Sequence, residues 1–534
     1  MIDCFFVGIN TISISKQRRM AELIHGKESH EYRDDLNYRF IKYNGKMYTQ
    51  SQIFEHFYNE DKAAKSKYEF PVFEDTFNSA TAYLSSYLVK RGFSIDYINS
   101  FNSGKEELKE KLLQNNIRAI AIPTTHYTTS YPITEIISYI KKYNKTAKII
   151  LGGPYILNQV RALSEDALER LFNSIGADVY VYSSEGEYTL SMVLDAIKSN
   201  GSLENISNVF YKEDKKFILH SQCQEENNLN DNTIDWSLFA DKIGKYVSVR
   251  TSVSCPFSCG FCTYGGRGNE QKYRYSSIEA LEKELDALHA LGKVEGIFFS
   301  DNTFNVPVKR FKEILRLIIR KKYNFKWQTH FRCQFIDKEI AEMLEESGCV
   351  QAFCGLESGS QMILNNMNKK ATVEKCKEGI ALLNEHNVMT IASFFIGYPG
   401  ETYETAKESF DFIEDVKPTF YQMRLWWYAL NAPIYLDKEK YKLTGSGFNW
   451  SHETMNSDYA HNIVDEFYMN IRNSIHIGDT QNVFDMAVKG ISQEKIKNFV
   501  SMFNECVKER LSNTSSEESS PELIKMLSSA AKCE

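Results

Sequence analysis

The sequence predicts an α/β protein in which an N-terminal doubly wound, Rossmann-like domain is followed by a partial (β/α)6 barrel and a mainly helical C-terminal region. Three observations carry this prediction. Short apolar runs alternate with helical patterns through residues 1–200, the signature of a parallel sheet covered by helices. A second series of six strand–helix repeats fills residues 246–430, two short of a full eight-fold barrel. A tight group of cysteines stands directly after the first predicted strand of the second series.

In the first domain, strands are predicted at Asp3–Gly8, Phe93–Ile98, Ala119–Pro123, Lys148–Leu151 and Val179–Tyr182. Helices are predicted at Ser79–Arg91, Lys105–Asn115, Pro132–Tyr143 and Glu187–Asn200. Sheets of this kind bind ligands beyond the carboxyl ends of their strands. The loops there are small and polar: Pro123-Thr124-Thr125-His126-Tyr127, Gly152-Gly153-Pro154 and Ser183-Ser184-Glu185-Gly186-Glu187. Gly152 and Gly153 would let backbone approach a flat ligand closely. Any nucleotide or flavin fits such loops about as well, although no G-x-G-x-x-G follows the first strand to support a dinucleotide. Residues 13–77 break the alternation. They are polar and tyrosine-rich, and read either as a functional insertion, such as a lid, or as surface decoration. Residues 201–245 are polar and read as a linker with a small hairpin around Val209–Tyr211 and Phe217–His220.

Composition narrows the function classes. The 534 residues suffice for two or three domains, and 43% hydrophobic with 25% charged residues are globular values. A net charge of −7 without a long basic block argues against nucleic acid as the main partner. No apolar stretch approaches the roughly 20 residues of a membrane span. Eleven cysteines, clustered only at 255–262, together with the absence of a signal peptide, fit a reducing cytoplasm rather than a disulfide framework.

Cys255, Cys259 and Cys262 stand at C-x3-C-x2-C spacing within Ser252–Arg267. Three thiolates reach three corners of a 4Fe–4S cube and leave one iron open, which separates a catalytic cluster from a closed electron-transfer cluster. A zinc knuckle is the competing reading, but it wants a fourth nearby ligand, and the nearest downstream His is His289 in a predicted helix. Cys333, Cys349, Cys354 and Cys376 read as buried apolar residues. Only Cys506 and Cys533 follow, so a second multi-cysteine cluster is not expected.

The cysteine run, with Phe261 before its last cysteine, resembles the signature of radical S-adenosylmethionine (radical SAM) enzymes. That family implies a six-stranded partial barrel, a single 4Fe–4S cluster on Cys255, Cys259 and Cys262, and S-adenosylmethionine on the open iron. Strands are predicted at Lys245–Thr251, Gly296–Ser300, Lys326–Arg332, Gln351–Gly355, Met389–Ile396 and Tyr421–Trp426. The resemblance gives roles to their carboxyl ends. Asp301 and Asn302, in place of the common Gly-Gly-Glu form, would face the methionine amino group, and Arg332 its carboxylate. Glu357 and Ser358 would accept from the ribose hydroxyls, and Gly397 and Tyr398 would meet adenine. A doubly wound sheet directly before this motif resembles the cobalamin-binding domain of class B radical SAM enzymes. Its Thr124, Thr125, His126, Tyr127, Gly152, Gly153, Pro154, Ser183, Glu185 and Gly186 would then line the cobalamin site. The D-x-H-x-x-G motif that ligates cobalt from below is absent, as is usual in this branch, so no His ligand is expected. His126 lies nearby, and Thr125 or Tyr127 could occupy the lower face instead.

The C-terminal part, 431–534, is read as a substrate-side helical region ending in a flexible Ser512–Pro521 segment. The aromatic stretch Trp426-Trp427-Tyr428, with Trp450 and His452, is expected to shape the substrate pocket; the alternative is a buried cluster that locks the tail to the barrel. Together with Asp301–Pro307 and Met367-Asn368-Lys369, these residues resemble the subfamily of phosphinate P-methyltransferases and C-methylating maturases of ribosomal peptides. The resemblance implies a cobalamin-dependent methyltransferase acting on an unactivated carbon or a phosphinate of a peptide or small natural product. A flavodoxin- or ferredoxin-like electron donor would serve it. The alternatives are a rearrangement or cyclisation using the same cofactors, and a non-enzymatic iron–sulfur sensor.

Overall fold

The computed structural model describes residues 1–61, 68–70, 76–114, 116–213, 216–225, 227–263, 272–513 and 517–532. Two compact units emerge from the contacts. One comprises Met1–Ile12, Val72–Ser252 and Glu270–Val294; the other comprises Ser13–Pro71, Val253–Asn269 and Glu295–Glu534.

The first unit is built on five parallel strands, Ile2–Ile9, Ile95–Ser100, Ile117–Pro123, Lys148–Gly152 and Val179–Val181. Numbered along the chain, they lie side by side in the order 2-1-3-4-5, the flavodoxin-like doubly wound arrangement. The first strand is buried from Asp3 through Ile9, as a central parallel strand covered on both faces must be. Helix Tyr131–Tyr143 buries Ile133, Ile136, Ile137 and Ile140, an i, i+3, i+4, i+7 pattern that lays one apolar stripe on the sheet. These isoleucines meet Phe5, Val7, Ile120, Ile122 and Leu151 in one core, in which Phe172 stacks on Tyr180 at 3.8 Å between centroids.

Two elements of this unit lie outside the sequence reading. After Gly153 the chain forms two helices, Pro154–Ala162 and Glu165–Ile175, where none was predicted. The second ends on Gly176 in the left-handed conformation, a common helix stop. The segment read as a linker belongs to the unit: Val209–Glu213 and Lys216–Leu219 form the expected hairpin, and it extends the sheet antiparallel to the fifth strand.

In the second unit, Gly296–Phe299, Lys326–Phe331, Cys349–Glu357, Met389–Ile396, Phe420–Leu425 and Ile475–His476 form consecutive parallel neighbours. The connecting helices are Val308–Lys321, Lys338–Glu346, Val373–Glu385 and Tyr403–Val416. The two-residue strand Ile475–His476 was not predicted. Tyr246–Val249 is the strand that leads to the cysteine loop.

Residues 13–71 also lie in the second unit, whereas the sequence reading attached them to the first domain. Their helices Ile14–Ile24, His30–Leu36 and Gln50–Glu60 flank a hairpin, Phe40–Tyr43 with Lys46–Thr49. Tyr38, Ile41, Ile53, Phe54 and Phe57 share a core with Met389, Phe420 and Tyr468, and with Phe499, Phe503 and Leu527 from the C-terminal helices. The region after residue 431 is helical, with Ser457–Asn470, Thr480–Val488, Gln493–Ser512 and Pro521–Ala531. Part of the predicted flexible stretch, 514–516, lies outside the described residues, as does Cys533. Among the described residues no helix is long and apolar enough to cross a membrane.

Candidate functional site

The cysteine loop begins at a strained position. Ser254 has φ +69, unusual for a residue with a side chain, and turns the chain into the loop. Cys259 is buried, whereas Cys255 and Cys262 are partly exposed. Cys262 N–H donates to the Cys259 carbonyl at 3.1 Å, and Gly260 N–H to the Met367 carbonyl at 2.7 Å, so the loop is pinned from within and from below. The Asn368 side-chain amide adds a bond to the Ser258 carbonyl at 2.9 Å. A Cβ on Gly260 would sit 2.4 Å from the Tyr398 hydroxyl, so only glycine fits there.

Three features test whether a 4Fe–4S cluster suits this loop. The three thiols share one short turn. The buried Tyr398 hydroxyl, beside Gly260, has no hydrogen-bond partner among the described residues. Burial pushes the Cys259 thiol up, while Lys369 and Arg332 pull it back toward the thiolate that metal ligation requires. The donor set therefore fits the cluster. Among the described residues no three His, Cys, Asp or Glu side chains converge on a single metal ion.

The strand ends surround this loop with charge. Thr303 Oγ1 lies 3.3 Å from Cys255 Sγ and donates to the Asn302 carbonyl at 2.7 Å. Asp301 is buried and Asn302 exposed. Arg332 is 6% exposed; its Nη2 donates to Cys259 Sγ at 3.1 Å and its Nη1 to the Lys369 carbonyl at 2.6 Å. Its guanidinium lies 3.5 Å from the centre of the Phe257 ring. The expected salt-bridge donor for a methionine carboxylate is thus engaged with Cys259, one of the three cysteines expected to ligate the cluster. Glu357 has φ +72 beside a register shift at Gly355, and it folds back to accept from Lys369 Nζ at 2.7 Å. The Lys369 ammonium lies 5.6 Å from the Phe261 ring centre. Lys369 belongs to the Met367-Asn368-Lys369 motif, which gives it no site role by itself; its place follows from Asn368 and Lys370, both at positive φ, which turn the segment under the loop. Ser358 is buried and accepts from Ser360 N–H at 3.1 Å, shaping the turn.

The Gly397 turn is held from behind. Gly397 has φ +107, its N–H donates to the buried Glu401 carboxyl at 2.5 Å, and its carbonyl meets His452 Nε2 at 3.0 Å. Burial raises the Glu401 pKa to about 8 despite this bond. Trp450 stacks on His452, with rings 5.2 Å apart and 5° from parallel, and its Nε1 donates to the Trp426 carbonyl at 2.9 Å. Trp426, Tyr428, Trp450 and His452 are all buried, and only Trp427 is open, at 55% exposure. The predicted aromatic group is therefore assembled, but four of its members form the packing behind the Gly397-Tyr398 turn.

In the first unit, the three loops do come together. Thr124 N–H and Oγ1 donate to the Gly152 carbonyl at 2.7 and 2.9 Å. At Gly153, with φ +116, a Cβ would be strained and crowded, 3.0 Å from Thr124 Oγ1. Pro123, Gly152, Gly153, Glu185 and Gly186 line one shallow cleft with Val181 and Leu190. Pro154 starts the helix beyond. Thr125 and His126 are exposed at the loop tip. Tyr127 points the other way: its hydroxyl accepts from Asn10 N–H at 2.8 Å and donates to the Gly8 carbonyl at 3.3 Å. Glu185 pairs with Arg274, and Ser183 is buried beneath the turn. A larger cavity of about 830 Å³ opens between Tyr87, Tyr188 and Glu225, but Glu225 already caps the helix at Tyr188 and Thr189.

Residues 249–413 match the Radical SAM superfamily model. An uncharacterized methyltransferase of Pyrococcus horikoshii is 26% identical over 349 residues, 62% of this chain and 73% of that protein. The anaerobic magnesium-protoporphyrin IX monomethyl ester cyclase of Cereibacter sphaeroides is also 26% identical, over 63% of this chain but only 56% of its own length. Among solved structures, the radical S-adenosylmethionine methyltransferase TsrM of Kitasatospora setae, with cobalamin and a [4Fe-4S] cluster bound, superposes with TM-score 0.57 at 17% identity, covering 68% of this chain and 75% of that one. The cobalamin-dependent S-adenosylmethionine radical enzyme OxsB superposes with TM-score 0.58 at 16% identity, covering 84% and 72%.

Proposed function

We propose that this protein, which carries a radical SAM domain, is a cobalamin-dependent methyltransferase acting on a peptide or small-molecule substrate. The observation that carries the reading is the cysteine loop ringed by consecutive strand ends, in the same chain as a 2-1-3-4-5 sheet whose glycine loops form a cleft. When bound, the cluster supplies an electron for cleaving S-adenosylmethionine and the cobalamin carries the methyl group. Cys255, Cys259 and Cys262 would hold the cluster. Thr124, Gly152, Gly153, Glu185 and Gly186 would present backbone to the corrin, with no His on cobalt.

The chain's residues supply position and dryness. The Gly397 turn offers a rigid apolar wall, with Tyr398 locked against Gly260. The buried aromatics behind it keep water from the reacting centre. Trp427 is the exposed ring best suited to touch substrate. Residues 13–71 contribute to the unit that holds the cysteines, which favours a role in supporting that site over decoration. A flavodoxin- or ferredoxin-like donor and a cytoplasmic location complete the proposal. Cyclisation is the second reading, favoured by the anaerobic cyclase among the relatives.

The test is an anaerobic incubation of reconstituted protein with S-adenosylmethionine, a chemical reductant and methylcobalamin, with L-tryptophan as the first candidate acceptor because a tryptophan methyltransferase is among the relatives. Deoxyadenosine formation and methyl loss from cobalamin support methyl transfer. Deoxyadenosine with cobalamin left methylated supports the second reading. Neither product, with a fully ligated cluster, would return the chain to the sensor class.

A further inference from the structure

Arg332 poses a physical question that the proposed reaction does not answer. It is a guanidinium at 6% exposure, and among the described residues no carboxylate pairs with it. The nearby Glu357 is spent on Lys369 at 2.7 Å. A buried cation without an anion is costly. The remaining partner within reach is Cys259 Sγ, 3.1 Å from Nη2. Position is over-determined: Nη1 is held by the Lys369 carbonyl at 2.6 Å, the face lies on Phe257, and the Arg332 backbone exchanges bonds with Asn305 at 3.0 and 2.9 Å. The guanidinium is therefore fixed before any cofactor arrives.

We propose that Arg332 is a positioning residue for the iron–sulfur cluster: its N–H···S bond to Cys259 and its unpaired charge raise the cluster's reduction potential, and it does not bind the methionine carboxylate. The inference rests on the proposal that Cys255, Cys259 and Cys262 hold a 4Fe–4S cluster. Cluster potentials respond to net charge and to hydrogen bonds on the sulfurs. Reduction adds one negative charge to a group already ligated by three thiolates. A fixed cation at Cys259 stabilises that charge more than it stabilises the oxidised form. Lys369, neutralised by Glu357, contributes less.

The experiment is a redox titration of the anaerobically reconstituted full chain, without S-adenosylmethionine, followed by electron paramagnetic resonance of the reduced cluster. Arg332→Met removes charge and donor, Arg332→Gln keeps a neutral donor, and Arg332→Lys keeps the charge. In Arg332→Met the reduced-to-oxidised ratio at a fixed potential should fall about tenfold, a shift of about 59 mV for one electron. Arg332→Gln should fall between Arg332→Met and wild type, and Arg332→Lys should lie nearer wild type. Dissociation constants for S-adenosylmethionine are measured on the same samples and should change less than tenfold. Unchanged potentials in variants with wild-type iron content, or an S-adenosylmethionine affinity loss of a hundredfold with the potential unmoved, overturn the inference. If Arg332→Met does not retain a cluster, the Gln and Lys variants decide on the same criteria. A wild-type chain that takes up no iron fails the cluster assignment itself, and this inference with it, whereas unmoved potentials on an intact cluster fail this inference alone.

Discussion

Replacing Gly397 with alanine probes the wall of the proposed S-adenosylmethionine site and the packing behind it at once. A methyl group there would lie 2.2 Å from Trp450 Cη2 and 2.4 Å from Cζ2, with the Ala460 methyl at 3.1 Å. Trp450 has no room to retreat, being 3% exposed, bonded to the Trp426 carbonyl and stacked on His452. Overpacking a filled core costs about 1–3 kcal/mol. Placing a side chain at a backbone φ of +107 adds a further penalty, about 1–2 kcal/mol by analogy with left-handed residues. Gly397→Ala should therefore destabilise by about 2–5 kcal/mol, and it should weaken S-adenosylmethionine binding as the turn shifts. Trp450→Phe removes the atoms that clash, so the double variant should be more stable than the sum of the single losses predicts, by at least about 1 kcal/mol. Urea unfolding of the apo chain by circular dichroism measures all four proteins. A Gly397→Ala loss below about 0.5 kcal/mol, or additivity within that margin, refutes the reasoning.

Other outcomes follow from the same geometry. Alanine at Cys255, Cys259 or Cys262 should abolish S-adenosylmethionine cleavage while leaving cobalamin binding intact, and iron analysis should show one cluster per wild-type chain. Gly153→Ala places a Cβ 3.0–3.1 Å from Thr124 and should lower cobalamin retention on gel filtration without loss of iron. Trp427→Ala should change stability by less than about 0.5 kcal/mol yet uncouple deoxyadenosine from product, whereas Trp450→Ala should cost about 3–5 kcal/mol. Burial holds the Asp485 carboxyl up at about 8, with Oδ2 unpartnered among the described residues, so its contribution is full below about pH 4 and is lost as pH rises toward 8. Asp485→Asn should flatten that decline by about 1.4 kcal/mol per pH unit, read from urea midpoints at pH 5 and 7.5.

Periodicity made most of the architecture legible. Both alternations follow from apolar spacing that burial enforces. What escaped it has identifiable causes. Ile475–His476 is too short to show a period. The helices after Gly153 follow a left-handed glycine and a proline that read as a loop. Residues 13–71 carry a polar average that hides Ile41, Ile53, Phe54 and Phe57, whose partners lie more than 300 residues away in sequence. At the site, the sequence names strand-end residues but not the direction of their side chains. Tyr127 and Arg332 show the limit: each sits where expected, and each turns its polar atoms to protein rather than outward, Tyr127 to Gly8 and Asn10, Arg332 to Cys259. Trp450 and His452 were legible as a pair, but whether they face a pocket or support a turn depends on Gly397.

The shared core of residues 13–71 and the last helices also sets an order of events. Arg18 pairs with Glu517, 499 residues later, and Phe54 packs edge-on against Phe499 at 4.8 Å. At synthesis rates of about 5–20 residues per second, the aromatic faces of Tyr38 to Phe57 wait about 25–100 s for those partners. During that time the strand pair at Phe40–Thr49 is an apolar edge without its cover, the kind of surface on which nascent chains associate wrongly. The core that residues 13–71 share with these helices therefore cannot be completed until the segment from Phe499 to Leu527 has been made.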